Sequence, residues 1–192
     1  MFAYLEGKLT YKSPSVLYMD VNGTGYELNI TLQTFSKIQT LEKCRLYIHL
    51  QVKEDAWVLF GFADEDERTT FRQLLNINGV GAGTARLILS SLTPEELERT
   101  VALEDNKVLE HIKGIGAKGA QRIILELKGK LTKPKNTHDL QGSQHNSAAE
   151  DALIALVNLG ISKGLAEQAI SKIKDSPSLT VEELIKQALR AL

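Results

Sequence analysis

Two glycine-rich stretches, NGVGAGTA at Asn78–Ala85 and KGIGAKGA at Lys113–Ala120, lie 35 residues apart, the difference 114 − 79 between their first glycines. The same offset carries Leu74 onto Leu109, Ile77 onto Ile112, Gly81 onto Gly116, Ala85 onto Ala120 and Ile88 onto Ile123. Each copy reads as a helix, an apolar residue, one spacer, Gly, an apolar residue, Gly, three residues, Ala and a second helix. Apolar residues at helical spacing on both sides of a tight glycine turn are accommodated only by two helices joined through that turn.

Gly114-Ile115-Gly116-Ala117-Lys118-Gly119 also satisfies G-x-G-x-x-G, the dinucleotide-binding fingerprint. That fingerprint needs a buried strand before it and an acid about 20 residues beyond it. The segment before Gly114, NKVLEHIK, is charged and helix-spaced, and the acid at that distance, Asp139, sits in a polar stretch. The first copy has Thr84 where the third glycine belongs, and neither copy contains the G-K-[ST] of a P-loop. A nucleotide cofactor is therefore not expected.

A glycine turn between helices makes a different phosphate site. Glycine reaches positive φ and puts no side chain between backbone and ligand. The following helix starts with free N–H groups and the positive end of its dipole, and successive amides form an anion-binding nest. Gly79, Val80, Gly81, Gly83 and Thr84 are the expected backbone contacts of the first turn, with Arg86 nearby. The second turn offers Gly114, Ile115, Gly116 and Gly119, with Lys113, Lys118 and Arg122 as basic flanks. Such contacts hold a nucleic-acid backbone without reading bases, so binding should be sequence-independent and salt-sensitive. The alternative, that the glycines only permit close helix packing, accounts less well for two copies with basic flanks.

Around this repeat the pattern changes twice. Residues 1–63 read as short strands. SVLYMDV and YELNI flank the turn Asn22-Gly23-Thr24-Gly25, and CRLYIHLQV and AWVLFGF flank Lys53-Glu54-Asp55, with a short helix expected at Thr34–Ile38. A small barrel or sandwich follows. Residues 64–131 are helical, with Phe71, Leu74, Leu75, Leu87, Ile88, Ile123, Ile124 and Leu127 as apolar positions and a capping box at Thr93-Pro94-Glu95-Glu96. Residues 132–146 are polar and read as a flexible linker; His138 and His145 there have no metal-ligand spacing. Residues 147–192 read as three helices. Capping boxes start at Ser147 and Thr180, Gly160 is a stop, Ser162 is a cap, and Leu153, Leu156, Val157, Leu165, Ala169, Ile170, Ile173, Leu184, Ile185 and Leu189 form apolar stripes.

A net charge of −1 excludes a generic polycation but not a local basic patch. The single cysteine, Cys44, excludes disulfides within the chain and multi-cysteine zinc sites, and suits a buried thiol in a reducing cytoplasm. No stretch reaches the roughly 20 apolar residues of a membrane span. Acids such as Glu95, Glu96 and Glu98 scatter over capping positions and helix faces. A nuclease, glycosylase or ligase would need a carboxylate–metal cluster or a lysine nucleophile beside a carboxylate, so no enzyme, metal or cofactor is expected.

The paired hairpin loops, with MFAYLEGKL at the start, KEDAWVLFGF at the end of the strand region and ALIALVNLGIS near the end, resemble the RuvA family of bacterial Holliday junction branch-migration proteins over the whole chain. The resemblance implies an α+β multidomain chain: an OB-fold-like β-barrel at 1–63, an all-α tandem helix-hairpin-helix DNA-binding domain at 64–131, the linker, and a three-helix motor-binding domain at 147–192. It implies a cytoplasmic homotetramer, with an octamer as the alternative, that binds four-way junction DNA in recombination, DNA repair and the SOS response to DNA damage. Its implied partners are a RuvB-type hexameric AAA+ ATPase and, in a larger complex, a RuvC-type junction resolvase. It places an acidic pin at Glu54 and Asp55, and motor docking at Leu156, Leu159, Gly160 and Ile161. The chain departs from the family's usual residues at Gly83, Ala117, Gly119 and Ile161.

Overall fold

The computed structural model describes residues 2–128, 148–173 and 179–191. The chain divides into two compact units, residues 1–135 and 136–192. The expected linker, its two histidines and the Ser147 cap lie outside the described residues.

The first unit begins with five strands: β1 Tyr4–Lys12, β2 Val16–Val21, β3 Thr24–Asn29, β4 Lys43–Val52 and β5 Trp57–Phe62. They close a barrel in the order β1-β2-β3-β5-β4, with β3 and β5 parallel and helix α1 (Leu32–Ile38) between β3 and β4. This is the connectivity of an OB-fold barrel. Asn22 and Gly23, at φ 52° and 87°, make the two-residue turn between β2 and β3 that the Asn-Gly pair encodes. Period-two alternation sends Leu5, Leu9, Leu17, Met19, Leu28, Leu46 and Ile48 into the barrel core. Cys44 is free and half-buried against that core, and burial pushes its thiol above the ordinary value.

Five helices follow: α2 Glu65–Leu75, α3 Ala82–Ser91, α4 Pro94–Ala102, α5 Asn106–Glu110 and α6 Ala117–Leu127. The box at Thr93 forms as expected. Glu96 N donates to Thr93 Oγ1 at 3.2 Å, and Thr93 N donates to Glu96 Oε2 at 2.8 Å. The repeat is imperfect before its second turn. Where the first copy has the continuous α2, the second breaks at Glu104, a non-glycine at φ 52°, and restarts as the five-residue α5 capped by Asp105. Leu87, expected in the core, is 45% exposed on the outer face of α3.

The helices have a core of their own, which two buried barrel residues join. Phe60 and Phe62 of β5 pack with Phe71 of α2 at centroid distances of 5.0 and 4.9 Å. Beside them the Glu67 carboxylate, 2% exposed, accepts hydrogen bonds from the Thr31 and Thr34 hydroxyls at the start of α1, the latter at 2.8 Å. Arg68 pairs with Glu65 and donates to the carbonyls of Ala3 and Ile48, at 2.7 and 3.3 Å. Buried charges are held only when hydrogen-bonded in this way, and these bonds fix α2 on the barrel.

The second unit contains α7 Ala148–Asn158, α8 Lys163–Ser171 and α9 Val181–Ala191, around a core of Ala152, Leu156, Ala166, Ala169, Ile170, Leu184 and Ala188. Gly160 ends α7 as expected: Ile161 N returns to Leu156 O at 3.1 Å. The Thr180–Glu183 box also forms. Ser162 occupies the cap position of α8, but its side chain makes no cap hydrogen bond. Val157, Leu165 and Leu189 are exposed, so the core is narrower than the apolar stripes suggest and is completed by alanines.

Candidate nucleic-acid interface

The two glycine turns have the same backbone. In the first, Ile77 N bonds Leu74 O and Val80 N bonds Ile77 O. In the second, Ile112 N bonds Leu109 O and Ile115 N bonds Ile112 O, all at 3.0–3.1 Å. Gly79 and Gly114 sit at φ 86° and 91°, a conformation only glycine adopts without strain. Gly81 and Gly116 then occupy the N-caps of α3 and α6 in extended conformations, φ −86° and −94°. The first helical bonds, Ala85 N to Gly81 O and Ala120 N to Gly116 O, are both 2.9 Å. A helix follows each turn and a helix precedes it, so the dinucleotide fingerprint lacks its strand.

Neither N-terminus has a side-chain cap; α1, α4 and α5 are capped by Thr31, Thr93 and Asp105, while α2 and α8 have cap residues, Asp64 and Ser162, that make no cap bond. The first-turn amides of α3 and α6 therefore lack an intrahelical partner and carry the positive end of the dipole. Three of these on each helix are Ala82, Gly83 and Thr84, and Ala117, Lys118 and Gly119. Ala82 and Ala117 were not among the expected contacts. Their place directly after the cap glycine is what gives each an amide free of an intrahelical partner.

The expected site residues separate by role. Gly79, Gly81, Gly83, Gly114 and Gly116 are exposed, as are Lys113 and Lys118. Val80 is half-buried and Ile115 buried against the helical core, so their side chains anchor the turns and only their backbones can face a ligand. Arg86 donates to Asn29 Oδ1 at 2.6 Å and Ser15 O at 3.3 Å, which ties α3 to the barrel. Arg122 of α6 reaches the other hairpin and donates to Asn78 O at 3.1 Å. The two turns are thus cross-linked by one guanidinium.

Comparison with known proteins agrees with this layout. The family model described as RuvA N terminal domain matches residues 1–61, the SAM-like Helix-hairpin-helix tandem matches 71–130, and RuvA, C-terminal domain matches 147–192. Three relatives are each named Holliday junction branch migration complex subunit RuvA. The protein of Christiangramia forsetii is 46% identical over 100% of both chains, and that of Cytophaga hutchinsonii is 45% identical over 99% of both. That of Chromobacterium violaceum is 42% identical over 100% of this chain and 98% of its own. The chain belongs to the RuvA family.

The RuvA N-terminal match covers the barrel, including the β4–β5 turn. There Glu54 and Asp55 are exposed at the tip, closed by Lys53 N on Ala56 O at 2.8 Å. The RuvA C-terminal match covers the second unit. Of the four residues expected to dock a motor, Leu156 is fully buried at the centre of the core, a correction to its expected role as a contact. Ile161 is partly buried against that core. Leu159, 64% exposed, and Leu165, likewise exposed, flank the turn at Gly160. Among the described residues no group of three His, Cys, Asp or Glu could hold a metal, and no helix is long and apolar enough to cross a membrane.

Proposed function

We propose that the chain is a non-catalytic subunit that binds Holliday junctions by structure rather than sequence, holds them open, and delivers them to an ATPase motor for branch migration. The observation that carries this reading is the pair of uncapped amide turns at Gly79–Thr84 and Gly114–Gly119, with matching backbone angles and hydrogen bonds. Each is suited to one phosphate, and Lys113, Lys118 and Arg122 add charge beside them. The names of the relatives support the junction as target.

In this reading residues 1–63 form the barrel, 64–131 grip duplex DNA and 147–192 meet a RuvB-type ATPase through Leu159, Gly160 and Ile161. Four chains arranged with cyclic symmetry in the cytoplasm bring their hairpins to the arms of one junction, and a RuvC-type resolvase joins the larger complex. Glu54 and Asp55 converge at the crossover, where their charge repels phosphates, lowers affinity and keeps the DNA moving. No proton transfer is required of them.

Binding of the full chain to a synthetic four-way junction and to linear duplex of equal length tests the proposal. We expect the junction to bind at least about ten-fold more tightly, uncleaved, with affinity falling steeply as salt rises. Equal affinity for the linear duplex refutes it.

A further inference from the structure

The β4–β5 hairpin outruns the barrel. The last register pair between β1 and β4 is Tyr4 with Tyr47, and β3 meets β5 only at Asn29 with Phe60. Beyond these points β4 and β5 pair solely with each other, through Leu50–Leu59, Gln51–Val58 and Val52–Trp57. Alternation assigns the two faces of this projection. His49, Val58 and Phe60 turn toward the helices, where Val58 and Phe60 join the helical core and His49 packs on Phe71 at 5.4 Å. Ile48 and Leu59 turn into the barrel core. Trp57 and Val52 continue that second row past the barrel mouth, where they are 75% and 63% exposed. As direct cross-strand partners they share one face, immediately below the Glu54-Asp55 tip.

Exposing an indole and a valine side by side is costly in water, and the neighbouring carboxylates restrict what can cover them. A phosphate backbone is repelled. A nucleobase separated from its partner is not: its π-face matches the indole, and its exocyclic amino groups donate to carboxylate oxygens. We propose that Trp57 and Val52 form a stacking platform for an unpaired DNA base, with Glu54 and Asp55 as acceptors for that base's amino group. The proposal rests on the junction-binding reading above and adds a base-holding function at the point where strands exchange.

Trp57 is the only tryptophan in the chain, so intrinsic fluorescence reports this site alone. The full chain would be titrated with a junction carrying 2-aminopurine at the branch point, with saturation followed separately by anisotropy of a label on one arm. We expect Trp57 emission and 2-aminopurine emission both to fall at saturation. Trp57→Ala should abolish the 2-aminopurine change and weaken binding of a junction with one unpaired base about ten-fold, while Trp57→Phe keeps most of both. Saturation with unchanged Trp57 emission overturns the platform but leaves junction binding intact. An indole already shielded from acrylamide in the free protein, and unaffected by DNA, overturns it in favour of a second copy covering the patch. Failure of the anisotropy to rise refutes junction binding and the platform together.

Discussion

Single residues decide where this molecule tolerates change. Burial pushes the Glu67 carboxyl above its ordinary value, against the hydrogen bonds from Thr31 and Thr34 and the pull of Lys37. The folded state therefore holds the Glu67 proton more strongly than the unfolded chain does. Its contribution to stability is fully present below the unfolded pKa and is lost as pH rises through the raised folded value. Urea unfolding of wild type and Glu67→Gln should show the difference moving in favour of wild type as pH falls from 7 toward 5; a pH-independent difference would remove the assignment. Gly79 and Gly114 give a second prediction. Alanine at either should cost about 1–2 kcal/mol of unfolding free energy for its left-handed backbone, and should weaken junction binding. Gly79→Ala should be the more damaging for binding, because its Cβ would lie 3.3 Å from Arg122 Nη1 whereas nothing lies within 4 Å at Gly114; equal losses would argue against a role for that contact. The glycines were readable in the sequence because their constraint is local and repeated. Glu67 was not, since its threonine partners stand 36 and 33 residues away and a lone carboxylate looks like any other.

At the level of elements, the hairpins were legible and their cross-links were not. Helical spacing on both sides of a glycine turn identifies α2–α3 and α5–α6, and capping boxes place the starts of α4 and α9. Spacing alone does not say which apolar residues a helix buries. Leu87 falls at the position of Arg122 in the repeat, on an outward face, and Leu165 and Leu189 likewise sit outside a core filled by Ala166, Ala169 and Ala188. Basic residues near a glycine turn suggest phosphate contacts, yet Arg86 spends two bonds on the barrel and Arg122 one on Asn78. Arg122→Lys keeps the charge but loses the guanidinium fork. Amide exchange at Val80, whose N–H bonds Ile77 O, should then accelerate by about ten-fold, close to the loss of one charged hydrogen bond. Unchanged exchange would mean that the first turn holds itself.

For the whole molecule, the chain separates into two compact units, and the proposed function puts DNA contact in the first and motor contact in the second. Residues 1–135 alone should bind a junction with affinity within about three-fold of the full chain, because every proposed phosphate contact lies inside that unit. The same fragment should fail to stimulate a RuvB-type ATPase. Stimulation by the fragment would place the docking surface in the first unit. Neutralising Glu54 and Asp55 together should raise junction affinity and slow motor-driven migration; unchanged values of both would reject the repulsive tip. A sequence with a net charge of −1 conceals all of this, because opposite charges on separate surfaces cancel in the sum. The uncapped turns also bear on heredity. The groups proposed to face phosphate belong to the main chain and survive every substitution except proline, which has no N–H. A screen for defective alleles should therefore recover few hits at the exposed Ala117 and cluster instead at Gly79, Gly114 and the buried apolar residues that hold the turns in shape, Ala82 among them.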